Sequence, residues 1–154
     1  MKTSTSLEPR YNTLWRQYLT AHTRVLERIQ QRMDEAGLPS LEWYDVLYTL
    51  KEAPEHRMRL SELAEEVLLT RSNLTRLVDR LERAGLLIRK ACPNDRRGIY
   101  AVLTEEGIAM QERMWEIYAE GIATYFATAI PPEDVECFAA ILMKLRAIAE
   151  QPDS

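Results

Sequence analysis

Two groups of arginines in this 154-residue chain need a chemical explanation. Arg71, Arg76, Arg80 and Arg83 fall in the stretch 70–83, in the company of Thr70, Ser72, Asn73 and Thr75. Arg96 and Arg97 follow a Pro-Asn-Asp sequence. Guanidinium groups pair bidentately with phosphate oxygens and with the O6/N7 edge of guanine, while hydroxyls and amides bond phosphates and base edges. A nucleic-acid surface is the chemistry these types suit. For the first group the alternative is an ordinary solvated helix with i,i+4 ion pairs, such as Asp79 with Arg83.

The elements that must carry these side chains can be read from spacing. Leu74, Leu77, Val78 and Leu81 recur at i, i+3, i+4, i+7, which places them on one face of a helix. Thr70 stands at the expected N-cap and Gly85 at the expected C-cap. Ser72, Asn73, Thr75, Arg76, Asp79, Arg80 and Arg83 then share the opposite face. Next come two short runs of strand-forming residues, Leu86–Ala91 and Ile99–Leu103, with Pro93, Asn94 and Gly98 supplying the turn between them. Arg96 and Arg97 would stand at the tip of this hairpin, where a guanidinium suits a narrow, electronegative minor groove. Asp95 is expected to brace one of these arginines through a charge-assisted bond.

The run resembles the winged helix-turn-helix of the multiple-antibiotic-resistance regulator (MarR) family. That pattern has leucine-alanine, a turn, a Ser/Thr-rich recognition helix, Leu-Glu-x-x-Gly-Leu, Asp-x-Arg, and a Leu-Thr opening the next helix. Here stand Leu63-Ala64, then Thr70 to Arg83, with Leu81-Glu82-Arg83-Ala84-Gly85-Leu86, Asp95-Arg96-Arg97 and Leu103-Thr104 following. The match is dense over residues 60–107. One departure is Leu68, where the family's turn often has glycine. The resemblance implies a mainly α (α+β) fold: a winged helix-turn-helix with long N- and C-terminal dimerisation helices.

A net charge of −4 argues against DNA only until it is mapped. Residues 57–97 hold ten Arg/Lys and six Asp/Glu, a local +4; the remainder holds ten and eighteen, a local −8. A basic segment in an acidic body is the footprint of a focused contact. The apolar share of 46% and charged share of 29% are those of a soluble globular chain. The N-terminus lacks an apolar signal core, and no run approaches the ~18 apolar residues of a membrane span. Cys92 and Cys137 are too few and too far apart to suggest a disulfide framework. A cytoplasmic protein without membrane contact is expected.

In chain order, residues 11–36 form a long helical pattern striped with Leu14, Trp15, Tyr18, Leu19, His22, Val25, Leu26, Ile29 and Met33. Ser40 is placed to cap a helix over 41–53, and Ser61 one over 63–68. Thr104 is placed to cap a long helix that Pro131-Pro132 ends; Val135, Phe138, Leu142, Leu145 and Ala149 mark the last one. We divide the chain into 1–36 (arm and dimerisation helix), 37–104 (DNA-binding domain) and 105–154 (dimerisation helices). The outer helices carry more apolar surface than a small middle domain covers, which points to a second copy across a two-fold axis. The alternative is that they pack only within one chain.

Other chemistries find little support. His22 and His56 are the only histidines, and neither HExxH nor paired CxxC occurs, so no metal is expected. With no GxGxxG or Walker sequence among five glycines, no nucleotide cofactor is expected either. No catalytic group stands out. Trp15, Tyr18, His22, Trp43, Asp45, Leu47 and Trp115 are candidates for a cavity between reader and dimer helices; the alternative is aromatic core. Family resemblance implies small, often aromatic or phenolic anions as effectors there. Peroxide-sensing relatives carry a cysteine near the start of the first helix, which this chain lacks; Cys92, near Arg89, Lys90 and Arg96, is read as incidental.

The expected function is a dimeric, ligand-responsive DNA-binding regulator, read as a repressor on a pseudo-palindromic operator. Ser72, Asn73, Thr75 and Arg76 are assigned to base edges and nearby phosphates, Arg80 and Arg83 to phosphates, Arg97 to the minor groove and Arg96 to the backbone, with Asp95 as brace; Thr70 and Arg71 are counted with them as DNA-binding residues. The rival is a helical enzyme or small-molecule-binding protein that does not touch DNA.

Overall fold

The computed structural model describes residues 6–69 and 73–152, the side chain of Arg96 apart. Helix α1, Pro9–Glu35, opens on a proline, whose missing N–H would have had no helical partner. It closes at Gly37, where a φ of +66° lets the Leu38 N–H reach the Met33 carbonyl at 3.0 Å. Helix α2, Leu41–Glu52, stops because Ala53 precedes proline and is extended. A single 3-10 turn, Pro54–His56, leads into strand β1, Arg57–Arg59. Helices α3, Leu60–Glu66, and α4, Leu74–Arg83, form the helix-turn-helix. Strands β2, Leu87–Cys92, and β3, Asp95–Leu103, form the hairpin; α5, Glu105–Tyr125, and α6, Val135–Ala149, complete the chain.

The sheet is antiparallel with order β1-β3-β2. Strand β1 has no signal in the sequence, because Arg-Met-Arg is short and mostly polar. It forms because β3 offers a free edge, Met58 pairing with Ala101. The other differences lie at helix ends. Helix α3 begins at Leu60, with Arg59 at its cap, so Ser61 is inside the helix. Helix α4 begins at Leu74, with Asn73 at its cap; Thr70, the expected cap, lies outside the described residues. Ser40 occupies the cap position of α2, but its side chain makes no cap bond. Helix α5 ends at Tyr125, before the prolines.

The core lies between α2, α3, α4 and the sheet, with Met114 of α5 and Ile29 and Met33 of α1 closing it. Leu77, Val78 and Leu81 of α4 are buried in it. Full burial of such a side chain is worth about 1.5–3 kcal/mol, so these three fix the rotation of α4 about its axis. By contrast, every described residue of α1 before Val25 is exposed, including Leu14, Trp15 and Leu19. None of α6 is buried.

The reader joins α5 through Thr104. Its Oγ1 accepts the Gly107 N–H at 3.0 Å and donates to the Gly85 carbonyl at 2.7 Å. Its own N–H donates to the Leu86 carbonyl at 3.1 Å. Gly85, with φ +76°, turns the chain out of α4. Gly107 is needed for a different reason: a Cβ there would sit 2.1 Å from the Leu86 carbonyl oxygen, a backbone atom that cannot move alone. Gly107→Ala is therefore expected to lower stability by about 1–3 kcal/mol despite alanine's better helix propensity. A urea titration would measure this, and an unchanged midpoint would contradict the close packing.

Candidate nucleic-acid interface and the adjoining cavity

With its apolar face fixed inward, α4 turns Thr75, Arg76, Arg80 and Arg83 to solvent. Asn73, at φ +68°, is exposed at the head of the helix, in a left-handed conformation that asparagine tolerates. Arg71 and Ser72, like Thr70, lie outside the described residues.

The acids of α4 are held away from this face. Arg89 of β2 donates to Glu82 at 2.6 Å and to Asp79, and its N–H reaches Glu82 at 3.0 Å. The Asp79–Arg83 pair that spacing offers is thus not the one formed: Asp79 points to the wing. Among the described residues, Arg76, Arg80 and Arg83 form no ion pair.

In the wing, Ala91 pairs with Ile99 but Cys92 with Asp95, so residues 96–98 have no partner across the ladder. Arg97 stands exposed on this excursion, beside the Pro93-Asn94 turn rather than at its tip. The side chain of Arg96 lies outside the described part. Gly98 has ordinary φ; what it provides is space, since a Cβ there would meet the Cys92 sulfur at 2.7 Å. Cys92 is buried at that spot and forms no disulfide. Asp95 meets an arginine from another strand and the backbone of the wing. Its Oδ2 faces Arg59 Nη1 at 3.5 Å, while Oδ1 accepts the Arg97 N–H at 3.0 Å. Arg57 and Arg59 lie over the Tyr100 ring, 5.0 and 6.0 Å from its centre. Both escaped sequence reasoning because β1 did.

The turn before α4 is held from α2. Asp45 Oδ2 accepts the Leu68 N–H at 2.8 Å and the Leu69 N–H at 2.6 Å. Among the described residues, those other than glycine with positive φ are Glu55, His56 and Asn73. Leu68 therefore needs no glycine: a side chain from another helix shapes the turn. Burial pushes the Asp45 carboxyl above the usual range, opposed by the two amide bonds.

Asp45 also lines a cavity of about 690 Å³ between α2, α5 and that turn. Tyr44, Tyr48, Trp115 and Tyr118 supply its aromatic walls. Tyr118 stands edge-on to Tyr44 at 4.8 Å and to Trp115 at 6.0 Å. Lys51 donates to Gln111 at 2.8 Å and to Glu112 at 3.1 Å, and Gln111 Nε2 to the Tyr44 hydroxyl at 3.2 Å. Burial raises the pKa of both Tyr44 and Tyr118.

Of the seven candidates for such a cavity, Asp45 and Trp115 line it. Leu47 is wholly buried on the core face of α2, and Trp43 is half-buried against the core. Trp15, Tyr18 and His22 are exposed on the first half of α1, Trp15 tilted against Tyr18 at 5.9 Å and Tyr18 stacked on His22 at 6.3 Å. Within one chain these five are not brought to the cavity. Sequence reasoning missed Tyr44, Tyr48 and Tyr118, although Tyr44/Tyr48 at i, i+4 and Trp115/Tyr118 at i, i+3 mark two facing stripes. Among the described residues no cluster of three His, Cys, Asp or Glu could hold a metal, and no helix is long and apolar enough to cross a membrane.

Comparison with known proteins agrees with this geometry. The MarR family model matches residues 40–99. The chain is 31% identical to the HTH-type transcriptional regulator YkoM of Bacillus subtilis over 90% of its length and 86% of that protein's. It is 29% identical to MhqR of the same organism, over 85% of this chain and 88% of that protein. Among solved structures, Sco3205 of Streptomyces coelicolor, a MarR family transcriptional regulator in complex with DNA, is 30% identical, covers 99% of this chain and 95% of its own, and superposes with a TM-score of 0.86. Family members are transcription regulators, which answers the enzyme reading. With its reader, wing and long outer helices, the chain belongs to the MarR family of winged helix-turn-helix transcription regulators.

Proposed function

We propose that this regulator is a cytoplasmic, ligand-responsive repressor that binds a pseudo-palindromic operator as a homodimer. The observation that carries the reading is the row Thr75, Arg76, Arg80 and Arg83, turned outward on a helix whose acids are tied to Arg89. Asn73, Thr75 and Arg76, with Thr70, Arg71 and Ser72 ahead of them, read base edges in the major groove. Arg80 and Arg83 hold phosphates. Arg97 enters the minor groove, with Arg96 on the backbone and Asp95 bracing the wing. Residues 37–104 thus form the reader, while 1–36 and 105–154 pair the copies.

The bare apolar faces of α1 and α6 support the pairing. Leu14, Trp15, Leu19, Ile141, Met143 and Leu145 are all exposed in the single chain. A two-fold axis through them sets two readers about one turn of DNA, roughly 34–36 Å, apart. The cavity beside Asp45 takes a small aromatic effector. It alters DNA affinity to the extent that it prefers a spacing of the readers unlike that on the operator.

Fluorescence anisotropy with labelled DNA from the region flanking the gene tests this. Tight binding that weakens steeply with salt is expected, from a particle twice the 17.9 kDa chain mass. Arg97→Ala should cost about 1–3 kcal/mol of binding, and Arg76→Ala a similar amount with relaxed sequence preference. An Arg97→Ala protein that folds and binds normally would falsify the wing assignment. Arg89→Ala should also weaken DNA binding, without touching DNA, because it frees Asp79 and Glu82 beside the basic row; unchanged affinity would show that those acids need no restraint.

A further inference from the structure

The cavity beside the reader is acidic. Among the described residues, Asp45, Glu52, Glu112 and Glu116 line it against one base, Lys51, whose ammonium is already held by Gln111 and Glu112. Its walls are aromatic, and two of the rings, Tyr48 and Trp115, are 45% and 47% exposed, open to a guest. Aromatic faces attract cations through their quadrupole. Carboxylates around a cleft with low-dielectric walls focus a negative potential in it. An anion placed there meets four like charges.

Asp45 gives a second sign of the same kind. It is only 7% exposed, yet both amide bonds it accepts fall on Oδ2. Among the described residues nothing donates to Oδ1. A buried carboxylate oxygen without a donor is costly, and a cationic N–H group would relieve that cost. Asp45 and Tyr118 both line the cavity, so carboxylate and ring are offered to the same guest.

We propose that this cavity takes an organic cation, an ammonium carried on an aromatic body, with its charge on Asp45 and its ring among Tyr48, Trp115 and Tyr118. This rests on the cavity being the effector site, and it replaces the anionic class that family resemblance suggests. It also gives the guest a route to DNA, because an ammonium on Asp45 draws on the carboxylate that holds Leu68 and Leu69 ahead of α4.

The test is calorimetric titration of the full-length protein with three probes of one shape: 1-naphthylmethylammonium, 1-naphthoate and the neutral 1-naphthylmethanol. The ammonium is expected to bind roughly tenfold or more tighter than the carboxylate, with the alcohol between them. Asp45→Asn keeps an acceptor oxygen for both amides but removes the charge. It should weaken ammonium binding roughly tenfold and leave the alcohol unaffected. Glu116→Gln, on the exposed rim and harmless to the fold, should weaken the ammonium in the same direction by a smaller factor. Naphthoate binding as tightly as the ammonium, or ammonium affinity unchanged in both variants, overturns the proposal. If the alcohol binds and charge makes no difference, the effector site stands and only the cation falls. If none of the three binds at millimolar concentration, both fall.

Discussion

Burial of three side chains on one short helix decides what this molecule presents to its surroundings. Leu77, Val78 and Leu81 are sealed in the core, so α4 cannot roll without exposing them. Because a helix carries its opposite face with it, the arginines of α4 are outside by consequence. The acids on the same helix would blunt that surface, and Arg89 draws them toward β2. The result is a protein of net charge −4 with one basic face. Such a charge distribution limits non-specific attraction and concentrates binding on a single surface.

The two ends of α4 are secured differently, and that difference bears on regulation. Its C-terminal end is welded to α5 through Thr104, Gly85, Leu86 and Gly107, with backbone atoms in close contact. The turn before its N-terminal end rests on one carboxylate oxygen of Asp45. The first joint ties the reader directly to α5. The second lies on the wall of the cavity. A ligand there need not act at a distance, since the group that shapes the turn is one it can touch. Coupling of this kind still requires the ligand to distinguish two arrangements of the turn, for affinity alone shifts nothing.

Much of this was legible in the residues. Helical spacing placed Leu77, Val78 and Leu81 inward, Gly85 marked the end of α4, and Thr104 the start of α5, because caps and periodicity are local properties. The family pattern added the wing. What escaped was set by tertiary context. Strand β1 exists only because β3 has an edge to fill. Arg59 faces Asp95 from another strand, a pairing no local rule encodes. Gly98 reads as turn chemistry but serves the volume of Cys92. Trp15, Tyr18 and His22 form an aromatic stripe that looks like a pocket wall, and in one chain they face solvent. A stripe tells that a surface will be covered, and not by what.

The central claim is that α4 presents its basic face to the major groove, twice, one turn apart. Footprinting on DNA from the region flanking the gene tests it most directly, with dimethyl sulfate to report guanine N7 and hydroxyl radicals to report the sugar backbone. Two major-groove tracts of protected N7 atoms, spaced about one helical turn and flanked by backbone protection from the wings, are the predicted result. Backbone protection with every guanine N7 left reactive, or a single protected tract, would contradict it.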